Sequence, residues 1–289
     1  MAYEVDGRDC AFKLAAANQF SISELADIYN AGRADYIVPM QTDAEQLQNY
    51  IHMYDVDLDA SVVILDAEDR AAGVGMLGVR GERAWITRLG IMPERRQGGM
   101  GMCMMRALID ASRERHARLI QLEVIEGNDA AHRLFLRCGF KEVRRLMVIH
   151  RSSVSLPDKA TTDGKVEALS VDEIGDCLGQ RDSGESWVNE NRSLSNIEPL
   201  EGMRITLASG DNGWIIFQRK NSELSHVIWQ VLSPAKEHVL SALFYHLHHM
   251  YPEYHAKIEN VPVNDDSWET LQQFNYDEQF RRIEMLLHL

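Results

Sequence analysis

Hydrophobic and polar positions alternate along the first half of the chain in a strand-and-helix rhythm. Phe12–Ala16 reads as a strand and Ser21–Asn30 as a short helix. A second helix is predicted from Thr42, where Thr42 to Glu45 has the form of a capping box. Ser61–Asp66, Ala72–Val79 and Ala84–Ile91 are strand-like, the first two separated by the charged turn Glu68-Asp69-Arg70. Met105, Leu108 and Ile109 fall at helical spacing within Met102–Arg115, and Leu119–Ile125 is a buried-strand run. Asp129–Arg137 predicts a short helix closed by Gly139, a residue suited to the left-handed position after a helix. Phe140–Arg144 and Leu146–His150 predict two more strands.

Ser152–Lys165, with Pro157, Gly164 and several hydroxyl side chains, reads as a linker. Strands are then expected near Met203–Ala208, Trp214–Gln218 and His226–Val231, a helix from Ala235 to about Met250, and a strand at Ala256–Asn260. A short helix near Ser267–Gln273 and a strand from about Gln279 close the chain. A fixed offset of 136 residues aligns Glu123 with Glu259, Asn128 with Asn264, Asp129 with Asp265, Glu142 with Glu278 and Arg145 with Arg281. Phe140 meets Tyr276 and Gly139 meets Asn275. The expectation is an internal duplication, with domains at 1–151 and 166–289 joined by the linker 152–165.

Composition narrows the class. With 45% apolar and 26% charged residues in 289, the chain is of ordinary globular type and long enough for two domains. No run of 18 apolar residues suggests a membrane span. Cys10, Cys103, Cys138 and Cys177 are far apart and form no CxxC pair. That predicts reduced thiols and a cytoplasmic protein rather than a disulfide framework. The net charge of −14 divides into −3 over residues 1–151 and −11 beyond. The acidic second half makes nucleic acid a poor partner, and an anionic ligand belongs in the first.

Arg95-Arg96-Gln97-Gly98-Gly99-Met100-Gly101 is the sharpest chemical feature. It follows a strand and leads into a helix, whose unpaired N–H groups suit a phosphate. Glycines let that phosphate approach the backbone. Neither GxxxxGK[ST] nor GxGxxG is present. The spacing that fits is Arg-x-x-Gly-x-Gly, filled by Arg96, Gly99 and Gly101. Downstream, Asn128, Ala131, Leu134-Phe135 and Gly139-Phe140 form a second ordered set.

On these two motifs, residues 12–150 resemble the GNAT superfamily of N-acyltransferases. The resemblance implies an α/β (α+β) fold, here two tandem mixed-sheet domains with helices on both faces. It also implies acetyl-CoA as donor, with Leu89, Gly90 and Ile91 pairing with the pantetheine arm. Arg96, Gln97, Gly98, Gly99, Met100, Gly101 and Met102 would hold the pyrophosphate, and Asn128 would bond near the thioester. Many members have Tyr where this chain has Phe135, and its hydroxyl protonates the departing thiolate. Here Phe135 is expected only to pack on the cofactor.

Attack on a thioester by an amine requires a general base, for which Glu123 and then Glu126 are the candidates. Tyr29, Arg33, Tyr36 and Met40 are expected on the acceptor wall, since the first two helices flank the cleft in this family. In the second half Ser233-Pro234-Ala235-Lys236-Glu237 has no glycine and a carboxylate opposite Gly101, so no coenzyme A is expected there. That half would shape the acceptor site or an interface, which leaves a homodimer open. The cluster His246, His248, His249 and His255 invites a metal reading, but only His246 and His249 share a helix face, no third ligand accompanies them and no metal is expected. The function expected is acetyl transfer to a primary amine of a small molecule or protein. The alternative is a non-catalytic module that binds acyl-CoA and regulates a partner.

Overall fold

The computed structural model describes residues 12–96, 98–153, 156–157, 163–181 and 184–289. The chain forms two compact units, one comprising the chain up to Arg144 together with Ile283–Leu289, the other Arg145–Arg282.

The first unit holds β1 (Leu14–Ala16), α1 (Ile22–Gly32), α2 (Ala44–Met53), β2 (Val62–Leu65), β3 (Ala71–Arg80), β4 (Arg83–Ile91), α3 (Met100–Glu114), β5 (Leu119–Ile125), α4 (Asp129–Arg137) and the start of β6 (Lys141–Arg151). β1 to β4 form an antiparallel run, and β5 joins β4 in parallel. Ser21 caps α1 and exchanges hydrogen bonds with Glu24. The α2 cap is one residue later than the sequence suggests. Asp43 and Gln46 form the box, while the Thr42 N–H donates to Asn30 Oδ1 at 2.9 Å. Along α3, Met104, Met105 and Leu108 are wholly buried with Ile64, Leu77 and Ile120, so one face of this helix seals the apolar layer over the sheet.

The second unit holds the rest of β6, β7 (Lys165–Ala168), α5 (Val171–Gly179), α6 (Asn191–Ser195), β8 (Glu201–Thr206), β9 (Asn212–Lys220), β10 (Glu223–Val231), α7 (Lys236–Met250), β11 (His255–Pro262), α8 (Trp268–Gln273) and most of β12 (Asp277–His288). β7 to β10 are antiparallel and β11 joins β10 in parallel. The starts of α3, β5 and β6 at 100, 119 and 141 recur in α7, β11 and β12 at 236, 255 and 277. The 136-residue offset is therefore a structural repeat, and the fold is the mixed α/β tandem arrangement.

Each sheet is completed by a strand entering from the other part of the chain. In the first unit the end of β12 lies between β5 and the start of β6. In the second, the end of β6 lies between β11 and the start of β12. The two short strands expected at 140–150 are one continuous strand. The Arg144 guanidinium within it is neutralised by buried Glu284, 2.7 Å from its Nε, and the Arg145 carbonyl accepts from Val263 N–H. A second correction concerns the thiols. Cys138 and Cys177 are free, but Cys103 is disulfide-bonded. Cys10 and part of the linker lie outside the described residues. Among the described residues no helix is long and apolar enough to cross a membrane.

Candidate active site

Between β4 and α3 the chain turns on two glycines in left-handed conformation, Gly98 (φ 75°) and Gly99 (φ 93°). Gly99 is the N-cap of α3, so no side chain caps the helix, and its first turn carries no acid. A Cβ on Gly99 would meet nothing within 4 Å, leaving the first-turn N–H groups approachable. Gly101 is small for another reason: a Cβ there would lie 3.1 Å from Leu134 Cδ2, so α4 packs closely on this turn. Met100 is buried beneath it, and Met102 Sδ lies 3.7 Å from Cys138 Sγ. Gln97 is outside the described residues.

Arg96 is tied down. Its guanidinium donates to both carboxylate oxygens of Asp35 at 2.7 Å, to the Gly32 carbonyl at 3.1 Å and to the Ile91 carbonyl at 2.9 Å. The hydrogen bond from Arg96 holds the Asp35 carboxyl below its ordinary range, although burial acts in the opposite direction. One side chain thus joins the end of α1, the end of β4 and the glycine loop.

Beside this loop the sheet opens. β4 and β5 pair only at Arg83 with Leu119, Ala84 with Ile120 and Trp85 with Gln121, although both strands run on. Leu89, Gly90 and Ile91 therefore border a gap. On its other side β4 bulges: Arg88 adopts φ 47°, and the register with β3 slips between Thr87 and Gly90. The bulge is wedged by close backbone packing. A Cβ on Gly73 would lie 2.4 Å from the Gly90 carbonyl oxygen, and one on Gly32 3.1 Å from the Gly90 carbonyl carbon.

Asn128 caps α4 by accepting from Ala131 N–H at 3.2 Å and donates to the Tyr36 hydroxyl at 3.3 Å. Phe135, about two turns further on, is only 5% exposed and packs in the apolar core near Phe140, ring centres 6.3 Å apart.

The residues expected on the acceptor wall do come together. The Arg33 guanidinium lies 4.0 Å from the Tyr36 ring centre and 5.1 Å from that of Tyr29, with Nη1 3.8 Å from Met40 Sδ. Sequence reasoning missed two further members. Arg88 lies 4.5 Å from the Tyr29 ring centre and 3.8 Å from that of Tyr50, whose hydroxyl is 2.5 Å from Thr87 Oγ1. Burial pushes the Tyr50 phenol up to about 12, against the pull of Arg88. The available signal was a single arginine inside the apolar run Ile86–Ile91; its bulge was not readable. Tyr50 also stacks on Trp85, and Trp85 Nε1 donates to Glu123 Oε2 at 2.7 Å. Gln121 Nε2 is 3.4 Å from the other Glu123 oxygen, whereas Glu126 is exposed.

The second unit has the same gap, with β10 and β11 paired only at Glu223–His255 and Leu224–Ala256. Its connection to the next helix, residues 232–235, is half as long as the 92–99 connection in the first unit. The helix begins at Lys236 and carries Glu237 in its first turn. In the gap, Glu259 is held by Arg282 at 2.8 Å and Lys257 at 2.5 Å. Burial raises the Glu259 carboxyl, but these two cations outweigh it and keep it ionised. Of the histidines considered for a metal, His248 is fully buried with Nε2 3.1 Å from the Tyr276 hydroxyl, and His255 stacks on His150.

Residues 25–140 match the acetyltransferase (GNAT) family, so the first unit carries a domain of that family. The whole chain is similar in fold to a GCN5-related N-acetyltransferase from Sphaerobacter thermophilus, at 15% identity and TM-score 0.72, covering 96% of this chain and 95% of that one. A tandem GNAT protein from the clavulanic acid biosynthesis pathway matches at 12% identity and TM-score 0.63, with 96% and 98% covered. A GCN5-related N-acetyltransferase from Anabaena variabilis matches at 18% identity and TM-score 0.61, with 95% and 72% covered. No curated protein sequence matches the chain.

Proposed function

We propose that the first unit transfers an acetyl group from acetyl-CoA to a primary amine. The observation that carries this reading is the adjacency of an uncapped helix N-terminus, behind two left-handed glycines, to the gap between β4 and β5. The residues present fit a phosphorylated, extended donor: the Gly99 cradle is open where a Cβ would point, and no acid lies in the first turn. The donor supplies an acyl thioester.

Gly98 to Met102 would hold the pyrophosphate through backbone N–H groups, and Leu89 to Ile91 would pair with the pantetheine arm as a sheet edge pairs with a strand. Arg96 acts as a positioning residue, since its guanidinium is spent on Asp35 and two carbonyls. Glu123 would take the proton from the attacking amine, held in place by Trp85 Nε1–H. With Phe135 in the core, thiolate departure would proceed without a phenol from that position; a thiol pKa of about 8.5 makes this leaving group tolerable. Burial of Phe135 also favours a second reading, a non-catalytic acyl-CoA-binding module.

Thiol release from acetyl-CoA over a broad panel of amines decides between the two. Transfer predicts release with at least one amine and a loss of about 100-fold in kcat for Glu123→Gln. Saturable coenzyme A binding without release from any amine would leave only the binding module.

A further inference from the structure

Beside Gly90, rings and guanidiniums alternate: Tyr36, Arg33, Tyr29, Arg88 and Tyr50. Both arginines lie against the one Tyr29 ring, so two positive charges share a partly buried wall. Neither has an ion pair among the described residues, in a chain whose net charge is −14. The Nε of each is buried without a hydrogen-bond acceptor. The contrast with Arg96 is direct, because Asp35 neutralises that guanidinium in bidentate fashion. It is also direct in the second unit, where Arg282 meets Glu259.

Cation–π contacts hold a guanidinium in place without neutralising it. Two like charges brought together with unmet donors carry an electrostatic cost that an incoming anion relieves. Both side chains flank the bulge that borders the gap. Arg33 Cγ lies 3.7 Å from where a Cβ on Gly90 would point, and Arg88 is itself the bulged residue.

We propose that the acceptor is an amine carrying its own anionic group, a carboxylate or a phosphate, held by Arg33 and Arg88. This rests on the transfer reading above. The two cations orient the acceptor through its anion and disfavour the ammonium form of its amine, which must be neutral to attack. The same charges turn away polycationic amines.

The test uses matched amines with and without the anion: β-alanine against propylamine, phosphoethanolamine against ethanolamine, and spermidine as the polycation. Calorimetry on the full chain saturated with coenzyme A reads binding without turnover. At least one anionic member should bind about tenfold or more tightly than its neutral partner, and which pair shows it separates carboxylate from phosphate. Arg88→Gln and Arg33→Gln should each reduce that preference to about threefold or less, Arg88→Lys should keep part of it, and coenzyme A affinity should change by less than about threefold. The wild-type comparison stands even if one variant fails to fold. Equal or tighter binding of the neutral or polycationic amines, no binding of either anion, or a loss of coenzyme A affinity with the preference intact would overturn the assignment. Thiol release is read separately: its absence with the anion preference present removes the transfer reading and leaves the anion site standing.

Discussion

Arg96 and Asp35 form a two-point ion pair, each guanidinium Nη 2.7 Å from a different carboxylate oxygen. The pair spans from the glycine loop to the residues after α1, and a third contact from the same guanidinium reaches Gly32. If Arg96 acts by fixing the loop, Asp35→Asn should weaken coenzyme A binding nearly as much as Arg96→Gln, each by about three- to tenfold, with the double variant no worse than either. Isothermal titration checks this. Unchanged or tighter binding in Asp35→Asn would mean that Arg96 leaves Asp35 to meet phosphate.

Coenzyme A should bind once per chain. The 92–99 loop carries the glycines and an acid-free helix start, whereas 232–235 is short and followed by Glu237. Gly99→Glu places a carboxylate at the loop amides and should lower affinity by about 100-fold, equivalent to about 2.8 kcal/mol. Ala235→Glu should leave binding unchanged. A fitted stoichiometry near two would contradict the assignment.

Phe135→Tyr should lower stability rather than restore a proton donor. The ring sits in the apolar core at 5% exposure, so an added hydroxyl without a partner costs about 1–3 kcal/mol. Urea unfolding should report that loss, and kcat should rise by less than about tenfold. Unchanged stability together with a gain above about 100-fold would place the hydroxyl at the thiolate instead.

His248 should make the second unit acid-sensitive. Burial, with Arg151 adding to it, pushes its imidazole down to about 3 from an ordinary value near 6.5. The unfolded chain therefore binds the extra proton between these values, and stability falls as pH drops below about 6.5. From pH 6.5 to 5 this loss reaches about 1.6 kcal/mol, the slope rising toward 1.36 kcal/mol per unit as the unfolded imidazole fills with protons. Chemical unfolding followed across that window should show the slope in the parent and a shallower one in His248→Phe. An equal slope in both would assign the sensitivity elsewhere.

Much of the architecture was legible in the sequence because it depends on near neighbours. The helix read from Ser21 starts there, Asn128 starts α4, and Gly139 at φ 92° ends it. The Arg96-Gln97-Gly98-Gly99-Met100-Gly101 run announced a strand-to-helix turn with approachable amides, and the 136-residue offset announced the repeat. Each of these signals is carried by side chains a few residues apart, or by identities repeated at one spacing.

Tertiary structure decided what depends on distant partners. Nothing local to Ile283–Leu289 assigns those residues to the first unit; the unfilled position between β5 and β6 does. Only the fold sets the Arg96 guanidinium against Asp35 and the Gly32 carbonyl, two partners that the glycine run does not announce. Arg88 reads as one charge in an apolar strand until the bulge sets it between Tyr29 and Tyr50. Propensity and periodicity describe a residue's own segment, whereas the charge balance of a cleft is set by side chains from α1, α2 and β4 that meet only in the fold.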